Sequence, residues 1–333
     1  MSRYSRQEIL PQIGKEGQRR LREARVTVVG LGAIGSVSAS LLARAGVGFL
    51  RLIDRDVVEV SNLQRQALFT ESDVDRPKAV VARERLATVN SEVAVEGLAK
   101  DVNPVNAEDL LAGVGLVLDG TDNMETRLLL NDVSLKARVP WVYAGAVATR
   151  GMVLAIVPGR TACFRCLVHD VPPPGTLETC DTAGILNAAS SAVASMQATE
   201  ALRLLLGEPS SGQLLLYEAW TQELQRLKLA RRADCPACGK GRYEFLERKG
   251  TDVIVGLCGR NAMSVDPLRK QPVSMEAVAT KLKGVGKVRA RDDILIAEVE
   301  KYAITLFPDG RAVIKGTEDP AVARSIYSRY IGN

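Results

Sequence analysis

Histidine is almost missing from this sequence: among 333 residues there is one, His169. A metal centre built from several imidazoles is therefore excluded, and a Ser-His-Asp or Cys-His enzyme would have to use His169 itself as its base. Aromatic side chains make up only 4%, so the core has to be built from Val, Leu, Ile and Ala. No apolar run reaches transmembrane length; the best candidate, Leu41 to Leu50, is short and interrupted by Arg44. The first residues, MSRYSRQEIL, lack the apolar stretch and cleavage signal of a secretory peptide, which predicts a soluble, cytoplasmic protein with no membrane partner. An excess of one charge is missing too. Lys plus Arg is 44, Asp plus Glu is 39, and the resulting +5 is too weak over this length to argue for nucleic acid.

What is present is an ordinary globular composition, 46% hydrophobic and 25% charged, enough for a core and for about two domains. The charge is unevenly placed: residues 241–333 hold 16 basic and 12 acidic residues, so they carry +4 of the +5. Their densest cluster, Lys281, Lys283, Lys287, Arg289 and Arg291, reads as a solvated face rather than a docking patch. Of the six cysteines, Cys163-Cys166 and Cys235-Cys238 form two CxxC pairs, which in a cytosolic setting point to metal rather than disulfides.

The run Arg25 to Val29 reads as a strand and is followed at once by Gly30-Leu31-Gly32-Ala33-Ile34-Gly35. A helix over 36–45 and a second strand, Phe49 to Ile53, ending at Asp54, complete a βαβ unit. Glycines at 30, 32 and 35 permit a tight turn and close approach to phosphate, and the helix start adds free N–H groups. Asp54, 24 residues after Gly30, is placed to accept from ribose hydroxyls. The unit indicates a nucleotide without deciding between NAD and ATP. Strands over 93–98, 114–118, 141–144, 152–157 and 213–217 alternate with helices over 78–89, 104–111, 125–137 and 190–206. The expected fold is α/β, a Rossmann-like doubly wound, mostly parallel sheet. Val171 to Gly175, with three consecutive prolines, reads as an exposed loop leading into Cys180. A boundary is expected near Gly239-Lys240-Gly241, giving a nucleotide-binding domain over 1–240 and a small α+β domain over 241–333. In the latter a strand is expected at 253–257, helices at 274–283 and 321–330, and a hairpin around Asp309-Gly310.

Three features argue against a dehydrogenase. Arg65, in Ser61-Asn62-Leu63-Gln64-Arg65-Gln66, follows the Asp54 strand; Lys78 heads a helix; and Asp119-Gly120-Thr121-Asp122-Asn123 ends an apolar strand. Cations there can neutralise phosphoryl oxygens, and a carboxylate can hold Mg²⁺ between phosphates. At this point the chain resembles the ThiF/MoeB/HesA adenylyltransferases, relatives of the ubiquitin-activating enzymes. The resemblance covers 1–240 and rests on RYSRQ at 3–7, GLGAIG at 30–35, AGVGFLRLIDRDVVEVSNLQRQ at 45–66, Pro77-Lys78, DGTDN at 119–123 with Arg127 and Asn131, CFRC at 163–166, TCDTAGIL at 179–186 and CPAC at 235–238. The tail, through Cys258-Gly259-Arg260-Asn261 and LFPDGRA at 306–312, is similar to the extra domain of ThiF-type thiazole-biosynthesis enzymes of Bacillus-like bacteria.

The resemblance implies Mg·ATP and a ubiquitin-like sulfur carrier protein ending in Gly-Gly, ThiS- or MoaD-like, as substrates. The carrier carboxylate becomes an adenylate and then a thiocarboxylate, with sulfur from a separate persulfide protein or from sulfide, since no rhodanese-like domain is present. Gly30, Gly32 and Gly35 would cradle phosphate, Asp54 hold the ribose, and Asn62, Arg65 and Lys78 contact the nucleotide. Asp122 would be the Mg²⁺ carboxylate, and Arg6 would reach the partner's site in a homodimer. Cys163, Cys166, Cys235 and Cys238 are expected to form one closed, structural Zn²⁺ site, with His169 an ordinary surface residue. Cys180, near a helix start, is a sulfur-transfer candidate and a bystander in adenylation; Cys258 reads as a buried apolar thiol. Thiamine thiazole synthesis is the first pathway reading and molybdopterin synthase activation the second. An NAD-dependent oxidoreductase and a catalytically silent binding scaffold are the rivals.

Overall fold

The computed structural model describes residues 2–169, 178–248, 253–257, 261–266, 273–291 and 294–331. The proline loop at 171–175 and Cys258 lie outside them. The chain divides into two compact units, one of Met1–Val74 with Lys78–Arg248 and one of Asp75–Pro77 with Lys249–Asn333.

The first unit begins with α1 (Ser5–Glu8) and α2 (Gly14–Glu23), then β1 (Arg25–Val29), α3 (Gly35–Ala45), β2 (Phe49–Ile53), α4 (Lys78–Val89), β3 (Ala94–Leu98), α5 (Ala107–Leu110), β4 (Leu116–Asp119), α6 (Met124–Ala137) and β5 (Trp141–Val147). It continues through β6 (Arg150–Ile156), α7 (Phe164–Leu167), α8 (Cys180–Ala183), α9 (Asn187–Leu205), β7 (Gln213–Glu218) and β8 (Glu223–Lys228). All eight strands form one sheet in the order β3-β2-β1-β4-β5-β6-β7-β8. The pairings from β3 to β5 are parallel and those from β5 to β8 antiparallel.

Alternation along the strands sorts side chains between two layers. Val26, Val28, Leu50, Leu52, Leu116, Leu118, Val142 and Ala144 point to one face, where α3, α4 and α9 cover them with Ala39, Leu42, Ala82, Leu86, Val193 and Ala201. Val117, Trp141, Tyr143, Leu154 and Ile156 point to the other, under Leu128, Leu129 and Val133 of α6. Three of the scarce aromatics meet there: Phe164 packs edge-on to Trp141 at 5.9 Å and tilted on Tyr143 at 4.7 Å between ring centroids. α3 stops at Gly46, whose φ of +82° suits a residue without Cβ; a methyl group there would also meet the Tyr4 ring at 2.6 Å.

Residues 241–248 belong to this first unit, beyond the expected boundary. Phe245 and Leu246 are buried in its core, and the Phe245 N–H donates to Asp132 Oδ2 of α6 at 2.8 Å. β8 and α1 were not foreseen; every residue of β8 is exposed, so the strand carries no apolar alternation to betray it.

The second unit holds β9 (Val253–Leu257), β10 (Ala262–Asp266), α10 (Met275–Lys283), β11 (Gly286–Arg291), β12 (Ile294–Val299), β13 (Tyr302–Leu306), β14 (Ala312–Lys315) and α11 (Pro320–Tyr330). Its strands form an antiparallel sheet in the order β11-β12-β13-β14-β10-β9. Leu295, Ala297, Ile304, Leu306 and Ile314 pack against Leu282 of α10 and Ile326 and Tyr327 of α11. Lys281, Lys283, Lys287, Arg289 and Arg291 are all exposed, as expected of a solvated face. Three of them lie on the edge strand β11, where charge discourages pairing with another sheet.

Candidate functional site: a nucleotide cradle at the strand ends

Parallel register brings the carboxyl ends of β1, β2 and β4 level, with Val29 opposite both Ile53 and Asp119. Gly30, Asp54 and Gly120 follow immediately. This is the switch point of the sheet, where α/β folds bind ligands. The backbones converge so closely that side chains are excluded: a Cβ on Gly35 would lie 1.9 Å from Gly30 O, and one on Gly120 2.3 Å from the same oxygen. Gly30 itself has φ +85° and could not carry a Cβ, which would lie 2.6 Å from Gly120 O. Gly32 differs, because its Cβ would make only ordinary contacts, at 3.8 Å with Gly120 O and 3.9 Å with Gln66 Nε2.

Asp54 is buried and fixes this loop. Its Oδ2 accepts the Leu31 N–H at 2.6 Å and its Oδ1 the Asp56 N–H at 2.7 Å. Burial raises its pKa, opposed by the positive charge of Lys78. Both oxygens keep lone pairs for a ribose hydroxyl. Lys78, the first residue of α4, is 2% exposed; its Nζ stands 3.5 Å from Asp56 Oδ2 and its N–H donates to Asp56 O at 3.0 Å. Asp56, which sequence reading passed over, is thus the partner that holds Lys78. Arg55 beside it pairs with Asp101 at 3.0 Å. Burial works against the Arg55 charge, yet Asp101, Asp56 and Asp122 together raise its pKa above the ordinary value.

The turn after β2 supplies Asn62, Arg65 and Gln66. Arg65 donates through Nη1 to Ser61 O at 2.9 Å and keeps part of its surface exposed. Asn62 and Gln66 are each 2% exposed, and neither Asn62 Oδ1 nor Gln66 Oε1 meets a donor among the described residues. Asn187, at the start of α9, ties this turn down by donating to Gln64 O at 3.1 Å.

Asp119 is buried at the end of β4. Its Oδ1 accepts from the Thr121 N–H and hydroxyl at 2.8 and 2.7 Å, and Oδ2 faces Arg127 Nε at 3.4 Å. Burial raises its pKa against the pull of Arg127. Asp122 follows in the loop to α6 and is exposed, close enough to act electrostatically on Arg55 and Arg127. An exposed carboxylate at that strand end is a fitting oxygen donor for Mg²⁺. Gln197 of α9, fully buried, donates through Nε2 to Asp119 O at 2.7 Å and Val142 O at 2.9 Å, and Ser38 of α3 meets its Oε1 at 2.7 Å. It locks β4, β5 and the cradle helix together. A lone glutamine among small helix residues gave no sign of this.

Cys180 stands at the end of β5, its Sγ 3.7 Å from Ala146 O. A Thr179–Thr182 capping box starts its short helix, and Gly184 and Leu186 bond to Ala148 of the β5–β6 turn at 2.8 Å. The structure therefore gathers Gly30, Gly32, Gly35, Asp54, Asn62, Arg65, Lys78, Asp122 and Cys180 at one end of the sheet. It does not bring Arg6 there. Arg6 is exposed on α1; Gln7 of that helix and Arg3 just before it bond to the far ends of α3 and α4, at Ala45 O (2.9 Å) and Val89 O (3.0 Å). The 11 residues of α3 separate the two ends by roughly 16 Å.

The four CxxC cysteines meet on the α6 face. Their sulfurs all lie within 4.8 Å of one another. Neighbouring pairs stand at 3.9 Å (Cys163–Cys166), 3.6 Å (Cys163–Cys235) and 3.5 Å (Cys166–Cys238). Tetrahedral zinc bound to thiolates at about 2.3 Å spaces its sulfurs by about 3.8 Å, so this set could hold zinc. Two adjacent residues of α6 hold backbone nearby: Asn131 Oδ1 accepts the Phe164 N–H of the first cysteine segment at 2.9 Å, and Asp132 the N–H of Phe245, seven residues after Cys238. Exposed His169 stays outside the group. No helix among the described residues is long and apolar enough to cross a membrane.

With this geometry in place, comparison with known proteins is decisive at the level of family. Residues 4–237 match the ThiF family. The Sulfur carrier protein ThiS adenylyltransferase of Bacillus subtilis is 41% identical and covers 99% of each chain. The Molybdopterin-synthase adenylyltransferase of Salmonella typhimurium is 39% identical over 72% of this chain and 97% of its own. Among solved structures, Escherichia coli MccB with MccA-N7isoASN superposes with a TM-score of 0.64 at 25% identity, covering 72% of this chain and 75% of that one. The chain belongs to the ThiF family.

Proposed function

We propose that this adenylyltransferase transfers AMP from ATP to the C-terminal glycyl carboxylate of a ubiquitin-like sulfur carrier, in the service of thiamine thiazole synthesis. The observation that supports the pathway is that the ThiS adenylyltransferase of Bacillus subtilis aligns over both units at 41% identity. Activation of a molybdopterin-type carrier is the second reading.

In this reading the nucleotide lies over Gly32 with its phosphates toward the N-terminus of α3, its ribose near Asp54, and Arg65 and Lys78 against phosphate oxygens. Asp122 would hold Mg²⁺, which when bound draws negative charge from the phosphates. The carrier carboxylate attacks the α-phosphorus, a new P–O bond forms, and the bond to the β-phosphate breaks with its electron pair leaving on pyrophosphate. Lys78 is held in place by Asp56 before substrate arrives, so little reorganisation is needed as charge develops. Arg6 of the other protomer in a homodimer would complete the site. A separate persulfide protein or sulfide then displaces AMP, and Cys180 serves this later step rather than adenylation. Cys163, Cys166, Cys235 and Cys238 would hold zinc through four thiolates, and the metal would then serve structure rather than catalysis.

The test is ATP–pyrophosphate exchange with a ThiS-like or a MoaD-like carrier. Exchange with the ThiS-like protein supports the first reading, exchange with the MoaD-like one the second, and absence of exchange with both overturns the proposal. Asp122→Ala should lower exchange by about 10²–10³-fold without loss of fold, because the side chain is exposed; full turnover would remove Asp122 from the metal role.

A further inference from the structure

Two buried amides of the first unit are treated in opposite ways. Gln197 is fully buried and every hydrogen-bonding end of its side chain has a partner within 2.9 Å. Gln66 is 2% exposed, and its Oε1 has no donor among the described residues. Its backbone offers no explanation, since the Gln66 N–H donates to Asn62 O at 3.0 Å and its C=O accepts from Phe69 at 3.2 Å. A buried acceptor left unmade costs stability, and such groups in native proteins call for a reason.

The reason lies in what the amide faces. A Cβ placed on Gly32 would stand 3.9 Å from Gln66 Nε2 and 3.8 Å from Gly120 O. The side chain therefore lies beside the two glycines where the strand ends converge. One turn earlier Asn62 repeats the pattern, 2% exposed with an Oδ1 lacking a donor. Both orphan atoms are acceptors, so what completes them must bring donors. Phosphate oxygens cannot do so. A ribose hydroxyl or a metal-held water can.

We propose that Gln66 is a nucleotide-binding residue of this site, its Oε1 accepting a hydrogen bond from a donor that enters with the magnesium nucleotide. The inference rests on the reading of the cradle as an ATP site. It has a consequence that a structural role would not share. Replacing the amide by an apolar side chain of equal length removes an unsatisfied group from the ligand-free protein and a contact from the complex.

The experiment compares wild type with Gln66→Met, by thermal unfolding with and without magnesium and a non-hydrolysable ATP analogue, and by KM for ATP in pyrophosphate exchange. The ligand-free variant is expected to unfold at the wild-type temperature or above. The analogue should raise its midpoint less than it raises that of wild type, and KM should increase roughly ten-fold, equivalent to about 1.4 kcal/mol. Gln66→Glu, which keeps an acceptor, should retain more of the analogue's effect. Deoxy-ATP separates the donors: if a ribose hydroxyl is the partner, its removal weakens wild type more than Gln66→Met, which keeps only the Asp54 contact, whereas a metal-held water leaves both equally sensitive. A variant that is less stable without ligand yet shifts fully with the analogue overturns the proposal, because the amide is then structural. A wild-type protein with no midpoint shift overturns the ATP reading itself, and the proposal with it.

Discussion

The two halves of the eight-stranded sheet solve different problems. The parallel half, β3 to β5, positions its site through backbone: glycines pressed together at the strand ends, helices starting at Gly35 and Lys78, and carboxylates that brace loops before any ligand is bound. It leaves acceptors of Asn62 and Gln66 unused. The antiparallel half, β6 to β8, sends out the two cysteine segments and turns their four sulfurs toward one another, with α6 holding the backbone on each side. One arrangement is open and the other closed. The first holds its loops ready at the strand ends, and the second draws four thiols into one cluster.

The contrast can be broken at several points. The largest effect is expected for Cys235→Ser, which should remove bound zinc and lower stability by about 3 kcal/mol or more, roughly 10 °C in the unfolding midpoint. Metal analysis together with calorimetry checks this, and an unchanged zinc content would dissolve the closed site. Next comes Gly35→Ala. With backbone 1.9 Å from the new methyl group, the cradle has to spread, and urea unfolding should show a loss of about 2–3 kcal/mol accompanied by weaker ATP turnover. A variant as stable as wild type would show that the close approach of strand ends is dispensable.

A smaller effect concerns the helix between the halves. Burial lifts the Asp132 pKa to about 6, above its unfolded value, although the Phe245 N–H opposes the shift. Its stabilisation is therefore complete below about pH 4 and lost as the pH rises through 6. Asp132→Asn keeps an acceptor for Phe245 and should flatten that part of the stability profile, a relative gain of about 2 kcal/mol at pH 7. Urea titrations at both ends of the range decide it; parallel profiles would rule Asp132 out as the cause. The least change is expected from Cys180→Ser in pyrophosphate exchange, with any deficit confined to thiocarboxylate formation. Loss of exchange would place Cys180 inside the open site's first step.

Much of the parallel half was legible because its signals are local. The run 25–35 announces strand, turn and helix in order, and the glycines are required by contacts a few residues away in space. The partners that complete the site come from elsewhere. Asp56 looked like one more acid after Asp54, Gln197 lies 78 residues from the Asp119 carbonyl it holds, and Asn131 and Asp132 sit inside an ordinary helix pattern. Exposed β8 lacked alternation, and β11 showed only its charges. The cysteine pairs were readable from spacing, because thiolates at that interval have few other uses.

The separation of 72 positions from Cys163 to Cys235 sets an order of events during synthesis. The strands of the parallel half end at Val147 and the helix α9 that covers them ends at Leu205, so every element of the nucleotide half leaves the ribosome before Cys235. Until residue 238 emerges, Cys163 and Cys166 have only each other. A nascent chain stalled between the two CxxC pairs would hold a formed cradle with an unfastened flank, and its thiols would be open to the oxidants and metals around it.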